Sequence, residues 1–247
     1  MAVTLRMPYS AYANSIASVS VVANDLIIVC ASYNETLAAV SCSDNASGGT
    51  NAYSEVGTGL DHPAGLEGDS SGHMFYAIAK ATETLTVTVS NHADAGMSVH
   101  VVSGNNTTLG SVLNTYNVKA DTSEGTSHSS ESITTDNAND YLICFWFQEH
   151  SASTHTENGT SFTIRSEEST HAHATFDRIV TGKGTYSDAI TTSASVRYGS
   201  IIAAFKAAAA GAAVISGTAT EGITEADIVA GGKTIIVTLS GDTLIAS

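Results

Sequence analysis

Strict alternation of apolar and polar residues recurs along this chain, and it sets the backbone period first. Thr84-Leu-Thr-Val-Thr-Val-Ser90 puts Leu85, Val87 and Val89 on one face and threonines on the other. Successive side chains point to opposite faces only in an extended strand, so the segment reads as a half-buried β-strand. Ser18-Val-Ser-Val21, Met97-Ser-Val-His-Val101 and Thr234-Ile-Ile-Val-Thr-Leu239 follow the same rule. In the second of these, Ser98 and His100 fall on the polar face. The segments at 25–33 and 141–147 are instead almost continuously apolar, as central strands covered on both faces are. Gly, Asn, Ser and Asp clusters separate the segments at the roughly 8–12-residue spacing of sandwiches and barrels.

Composition agrees. The chain holds 32 Ser and 31 Thr, about a quarter of its 247 residues, and only 13% charged residues. The residues that cover exposed helix faces are scarce, whereas strand and turn formers abound. A helical bundle and an α/β enzyme are therefore disfavoured. The formal net charge is -15, and the nine Lys and Arg are scattered from Arg6 to Lys233. No basic patch forms, so nucleic acid is excluded as a partner and an anionic membrane is disfavoured. The longest apolar run, Ile201 to Ile215, is broken by Lys206 and is too short to span a bilayer. The first residues lack a basic segment followed by an apolar one, so no secretory signal is expected. Cys30, Cys42 and Cys144 are odd in number and lack a framework spacing. They imply free thiols and folding in a reducing cytoplasm.

Self-comparison uncovers a repeat. Ala23-Asn-Asp-Leu-Ile-Ile28 returns 115 residues later as Ala138-Asn-Asp-Tyr-Leu-Ile143, and Phe75-Tyr-Ala-Ile78 returns 101 residues later as Phe176-Asp-Arg-Ile179. After each of these comes a further strand-like segment, Met97 to Ser103 in one case and Val196 to Lys206 in the other. The matched order predicts two related halves at about 16–104 and 130–206, with an insertion in the first around Gly57 to Gly72. The expected fold is all-β: a jelly-roll-like β-sandwich domain over 1–206, built from those two halves. An Ala/Gly linker comes next at 207–213, then a short C-terminal β arm or partial second module at 214–247. The arm is too small to bury a core of its own.

Each chemistry-bearing motif has a structural reading beside its functional one. Gly68-Asp-Ser-Ser-Gly72 matches the letters of a nucleophile elbow, but that elbow needs a strand before the serine and a helix after it. Here a loop precedes and the strand-like His73 to Ala79 comes after, so Ser70 is not expected to act as a nucleophile, and the expectation is a protein that is not an enzyme. His171-Ala-His173 places two imidazoles on one face of a strand, where they can serve as metal ligands. Three such pairs around a three-fold axis could close on one ion, so His171 and His173 are the candidate metal residues, at an oligomer interface only. The alternative is a plain polar outer face. No other cofactor is indicated. Asp44-Asn45 and Asp136-Asn-Ala-Asn-Asp140 carry oxygens that can hold calcium, but such residues more often close turns. The sequons at Asn34, Asn45, Asn106 and Asn158 are those expected by chance in a Ser/Thr-rich chain. Of the aromatics that could stack on a sugar, Tyr33, Tyr53, Tyr116 and Trp146, the tryptophan belongs to the most apolar strand and is expected in the core.

Several of these words together carry a family resemblance. Ala23 to Ile28, Ser43-Asp-Asn-Ala46, the aromatic strand Met74 to Ala79 and the Thr-rich Leu85 to Val89 resemble the β-sandwich domains of bacteriophage virion structural proteins and bacterial surface proteins. Asp177 to Val180, Gly184-Thr-Tyr186 and Ile201-Ile-Ala-Ala-Phe205 are similar to the close of the second half, so the likeness covers roughly 16–206. Residues 214–239 resemble the opening of a further module in phage and environmental structural proteins. The resemblance implies a virion part, either a capsid decoration protein or a tail/fibre component. Such a part would be assembled in the host cytoplasm and would act by self-association and docking on other virion proteins. The alternative is a carbohydrate-binding or adhesin module on a cell surface, with a host glycan as partner.

Overall fold

The computed structural model describes residues 3–33, 39–61, 70–90, 95–148, 153–168 and 173–209. The arm at 214–247, its strand at 234–239, and His171 lie outside the described residues. The described chain is almost entirely antiparallel β structure, with one turn of helix, α1 (Leu109–Val112).

The first half contributes β1 (Thr4–Tyr12), β2 (Ser15–Val21), β3 (Leu26–Tyr33), β4 (Cys42–Asp44), β5 (Ser54–Glu55), β6 (Leu60–Asp61), β7 (Ser71–Ile78), β8 (Glu83–Val89) and β9 (Ala95–Ser103). After α1 come β10 (Leu113–Ser129), β11 (Ile133–Thr135), β12 (Tyr141–Gln148), β13 (His155–Glu157), β14 (Thr163–Glu168), β15 (His173–Ile179), β16 (Gly184–Tyr186) and β17 (Ala189–Phe205). One large sheet has the order β1-β9-β3-β7-β5, and the other β10-β17-β12-β15-β14. A small sheet, β2-β8-β4, accompanies the first, and the pair β11-β16 accompanies the second.

The chain entry to each central strand is the same. Asn24 and Asn139 hold φ of 74° and 65°, a left-handed conformation that Asn tolerates better than most residues. Each turns the chain into β3 or β12. The next residue fixes the neighbouring strand's end: Ala79 N donates to Asp25 O at 2.9 Å, and Val180 N to Asp140 O at 3.0 Å.

Where the pattern predicts one double-sheet sandwich, the strands lie in four layers. Alternation along each strand assigns side chains to three cores. Ile27, Val29, Ala31 and Tyr33 of β3 pack with Val19, Leu85, Val87 and Val89 of the small sheet. Leu142, Cys144 and Trp146 of β12 pack with Ile133, Phe176 and Ile202 in the second sandwich. The intervening residues form the third core, a seam between the two large sheets: Leu26, Ile28, Cys30 and Met74 face Ile143, Phe145, Phe147 and Ile201. This is why β3 and β12 read as continuously apolar: both faces are covered. Every residue of each is buried. Full burial of each such Leu, Ile or Phe is worth about 1.5–3 kcal/mol, so the seam is a cohesive element. Ala207 bridges to Asn105, and Ala208 N donates to Gly104 O, so the first linker residues are still tied to the sandwich.

Candidate functional site

The period of β9 predicts a Ser and a His facing solvent. Instead both faces are buried, and Ser98 and His100 have no exposure. Met97, Val99 and Val101 point into the first sandwich, and the polar set points into the seam. There it meets β15, whose His173, Thr175 and Asp177 are also buried. Two imidazoles thus bridge the halves in reciprocal fashion. His173 of the second half lies 2.9 Å from Ser98 Oγ through Nε2 and 3.1 Å from Ser32 Oγ through Nδ1. His100 of the first half lies 2.9 Å from Thr175 Oγ1 through Nε2 and 3.3 Å from Tyr141 Oη through Nδ1.

The second bridge continues into a directional network. Tyr141 Oη donates to Asp177 Oδ2 at 2.9 Å, and Arg165 Nε donates to Asp177 Oδ1 at 2.6 Å. The tyrosine proton is thereby committed to the carboxylate, so Tyr141 accepts from His100 Nδ1–H. His100 Nε2 is then the acceptor for Thr175 Oγ1–H, and Thr175 Oγ1 lies 2.5 Å from Ser166 Oγ. Burial first, and then the charge of Arg165, push the His100 pKa down to about 3. Burial raises that of Asp177, against the pull of Arg165.

The other described histidines, His73, His128 and His155, are buried as well. His155 Nδ1 lies 2.7 Å from Glu167 Oε1 and its Nε2 2.7 Å from Tyr198 Oη. Burial lowers its pKa, with Glu167 opposing. His73 Nδ1 lies 2.7 Å from Glu55 Oε1, and its Nε2 has no hydrogen-bond partner. Among the described residues no group of three His, Cys, Asp or Glu side chains is placed to hold a metal ion. Of the two candidate ligands, His173 has both ring nitrogens within hydrogen-bonding distance of seam hydroxyls, and His171 lies outside the described residues.

The remaining motifs settle into structural places. Ser70 is buried just before β7, so a strand comes after it, and its Oγ has no partner. The carboxylate of Asp44 accepts from Ala46 N, Thr50 Oγ1, Asn51 N, Asn51 Nδ2 and Tyr53 Oη, at 2.7–3.2 Å. Burial raises its pKa, but the bonds from Asn51, Ala46 and Tyr53 outweigh this and leave it lowered. A cation needs free oxygens, and these are saturated by donors. Asp140 Oδ2 accepts from Asn114 Nδ2 at 2.6 Å, while its Oδ1 is buried without a partner. Trp146 is a core residue whose Nε1 donates to Asp188 Oδ2 at 2.7 Å. Tyr33 is buried, whereas Tyr116 is 44% exposed.

Sequence reasoning selects His173 but misses His100 and the hydroxyl partners of both imidazoles. One signal is available to find them: Ser-x-His on a strand of the first half and His-x-Thr on a strand of the second are complementary sets at period two. No family model matches the chain, and neither a curated protein nor a solved structure matches it.

Proposed function

We propose that the protein is a virion structural component, a capsid decoration or tail/fibre part, that works by self-assembly and docking rather than catalysis. The observation that carries this reading is the strand layout within each half. In the first, β1, β3, β7 and β9 lie in the order β1-β9-β3-β7, with β5 and β6 both paired to β7, while β2, β4 and β8 lie in the order β2-β8-β4. This order resembles the jelly-roll plan, which viral capsid and lectin domains use, and so supports the reading. The second half has the corresponding orders β10-β17-β12-β15 and β11-β16. The shared order, the left-handed Asn24 and Asn139 and the matched backbone bonds at Asp25 and Asp140 support descent of both halves from one duplicated module. The step from fold to role is one of analogy. A thick, four-layer body of low charge density suits a building block. The arm at 214–247 supplies docking in this reading, adding a strand to a neighbouring subunit or another virion protein.

Mass spectrometry of purified virus-like particles from the source sample tests the role directly. The protein should co-purify with particles at stoichiometric level, and its consistent absence from them refutes the assignment. Truncation after Ala209 tests the arm: the body should melt as before while assembly is lost. Normal assembly of the truncated chain, or unfolding of its sandwich, refutes the docking role.

The second reading is a carbohydrate-binding module, because lectin domains use the same plan and Tyr116 offers an exposed ring on which a sugar could stack. Specific binding on a glycan array, lost in Tyr116→Ala, would favour it.

A further inference from the structure

The polar stripe across the seam centres on one imidazole that its surroundings keep neutral. His100 of β9 is fully buried. From β12 it faces the Tyr141 hydroxyl, from β15 Thr175 and beyond it Asp177, and from β14 Ser166 and Arg165. The carboxylate of this network, Asp177, is already engaged by Arg165 and Tyr141 rather than by the imidazole. From β3, the Cys30 thiol shares the seam, and Ser98, the hydroxyl that His173 meets, opposes the upward push that burial gives the thiol's pKa. His173 is the second imidazole of the seam, held by Ser32 and Ser98. A proton added at His100 Nε2 would meet Thr175 Oγ1, which at present donates to that nitrogen, and would place a second positive charge near Arg165 in a dry interior.

We propose that His100 is a proton-operated latch, whose protonation loosens the seam between the two sandwiches ahead of either sandwich's own core. Separate loosening is structurally available because each sandwich keeps an independent core when the seam opens: Val29, Leu85 and Val87 in one, Leu142, Trp146 and Phe176 in the other. The sign is set by linkage. With the seam closed the imidazole resists protonation down to pH about 3. Wetted in an open seam it regains an ordinary pKa of about 6.5. Between those limits opening takes up one proton at His100, which raises the opening equilibrium about tenfold for each unit that pH falls relative to a chain without that imidazole. The inference stands on the seam geometry and does not depend on a virion role.

The chain carries its own reporters. Cys30 lies in the seam and Cys144 in the second sandwich's core, both fully buried, while Cys42 is partly exposed on the outer sheet. The full-length protein is treated with 4,4′-dithiodipyridine at several pH values from about 6.5 to 4.5, and each site is quantified by peptide mass mapping. Referring Cys30 to Cys42 cancels the common pH dependence of thiolate formation. The expected result is a Cys30-to-Cys42 ratio of labelling rates that climbs about tenfold per unit of falling pH while Cys144 stays protected. In His100→Gln, which hydrogen-bonds but does not titrate, that climb disappears. Simultaneous labelling of Cys30 and Cys144 would mean global unfolding and overturn the proposal. So would a pH-independent Cys30-to-Cys42 ratio, or a climb equally steep in His100→Gln. Should His100→Gln fail to fold, His100→Asn takes its place, and the order of Cys30 and Cys144 labelling in the wild type still decides against the latch if they react together.

Discussion

Phe147 makes the seam unusually intolerant of one added methyl group. In β12 it pairs directly across from Gly199 of β17, and its ring lies over that glycine. A Cβ built on Gly199 would overlap the ring, with even the Cε1 carbon only 2.9 Å away. Carbon atoms normally rest about 3.5–4.0 Å apart, so the ring would have to retreat by roughly 1 Å. It has nowhere to go, because the same ring also occupies the space a Cβ on Gly72 of the opposite sheet would need. Overpacking of this kind costs about 1–3 kcal/mol. Gly199 does not have positive φ, so alanine is conformationally acceptable there and should gain about 0.4–1 kcal/mol through the unfolded chain. The net expectation for Gly199→Ala is a loss of about 1–2 kcal/mol. In a body of this size that is a fall in Tm of about 2–8 °C. Calorimetry of the single variant, of Phe147→Leu and of the double variant forms the assay. If the ring is the cause, Gly199→Ala costs much less in the Phe147→Leu background, giving a coupling energy of the size expected for touching residues. A stabilised Gly199→Ala protein, or strictly additive effects, would refute the close-packed seam.

Three further outcomes rest on buried polar groups. Burial, opposed by bonds from Trp146 and Thr160, raises the Asp188 pKa to about 6, so the fold favours its neutral form. The stability this contributes is complete below the ordinary carboxylate value of about 3.9 and is lost as pH rises through about 6; urea titrations should show the wild type weakening relative to Asp188→Asn over that window, and parallel curves would contradict it. Asp44→Ala should cost about 1–3 kcal/mol, since it strands the buried Asn51 and the Tyr53 hydroxyl. Millimolar calcium should leave the wild-type Tm unchanged, and a calcium-dependent rise would show that the Asp44 oxygens can be freed. Ser70 should remain unlabelled by a fluorophosphonate probe, and specific labelling there would demand a catalytic reading.

Local pattern carries the element types because each rests on interactions within a few residues. The alternation at Leu85, Val87 and Val89 announces β8 and its inward face, and these residues are buried as predicted. The apolar runs of β3 and β12 announce strands covered twice, since no exposed face could be so apolar. Leu26 and Ile28 of the first run, Leu142 and Phe145 of the second, and Trp146, expected in the core, are all buried. Asn-Asp before each run marks the turn that Asn can make.

What covers a face is another matter, because for β9 that depends on strands 41 to 75 residues away in the chain. Ser98 and His100 have the period and polarity of a wet face, and nothing within β9 distinguishes them from Thr84 and Thr86. Only the arrival of β12, β14 and β15 converts them into seam residues, by supplying Tyr141, Thr175 and Asp177 as partners. His173, read by spacing as half of an outward metal pair, is turned inward by the same packing and met by Ser32 and Ser98. The strands, their apolar faces and the turns between them are legible in the residues alone, because period and propensity act locally. The stacking of two sandwiches, and with it the choice of which polar face is dried and which histidine is held neutral, was decided only by the tertiary structure, because burial is a property of the surface a strand meets and not of the strand.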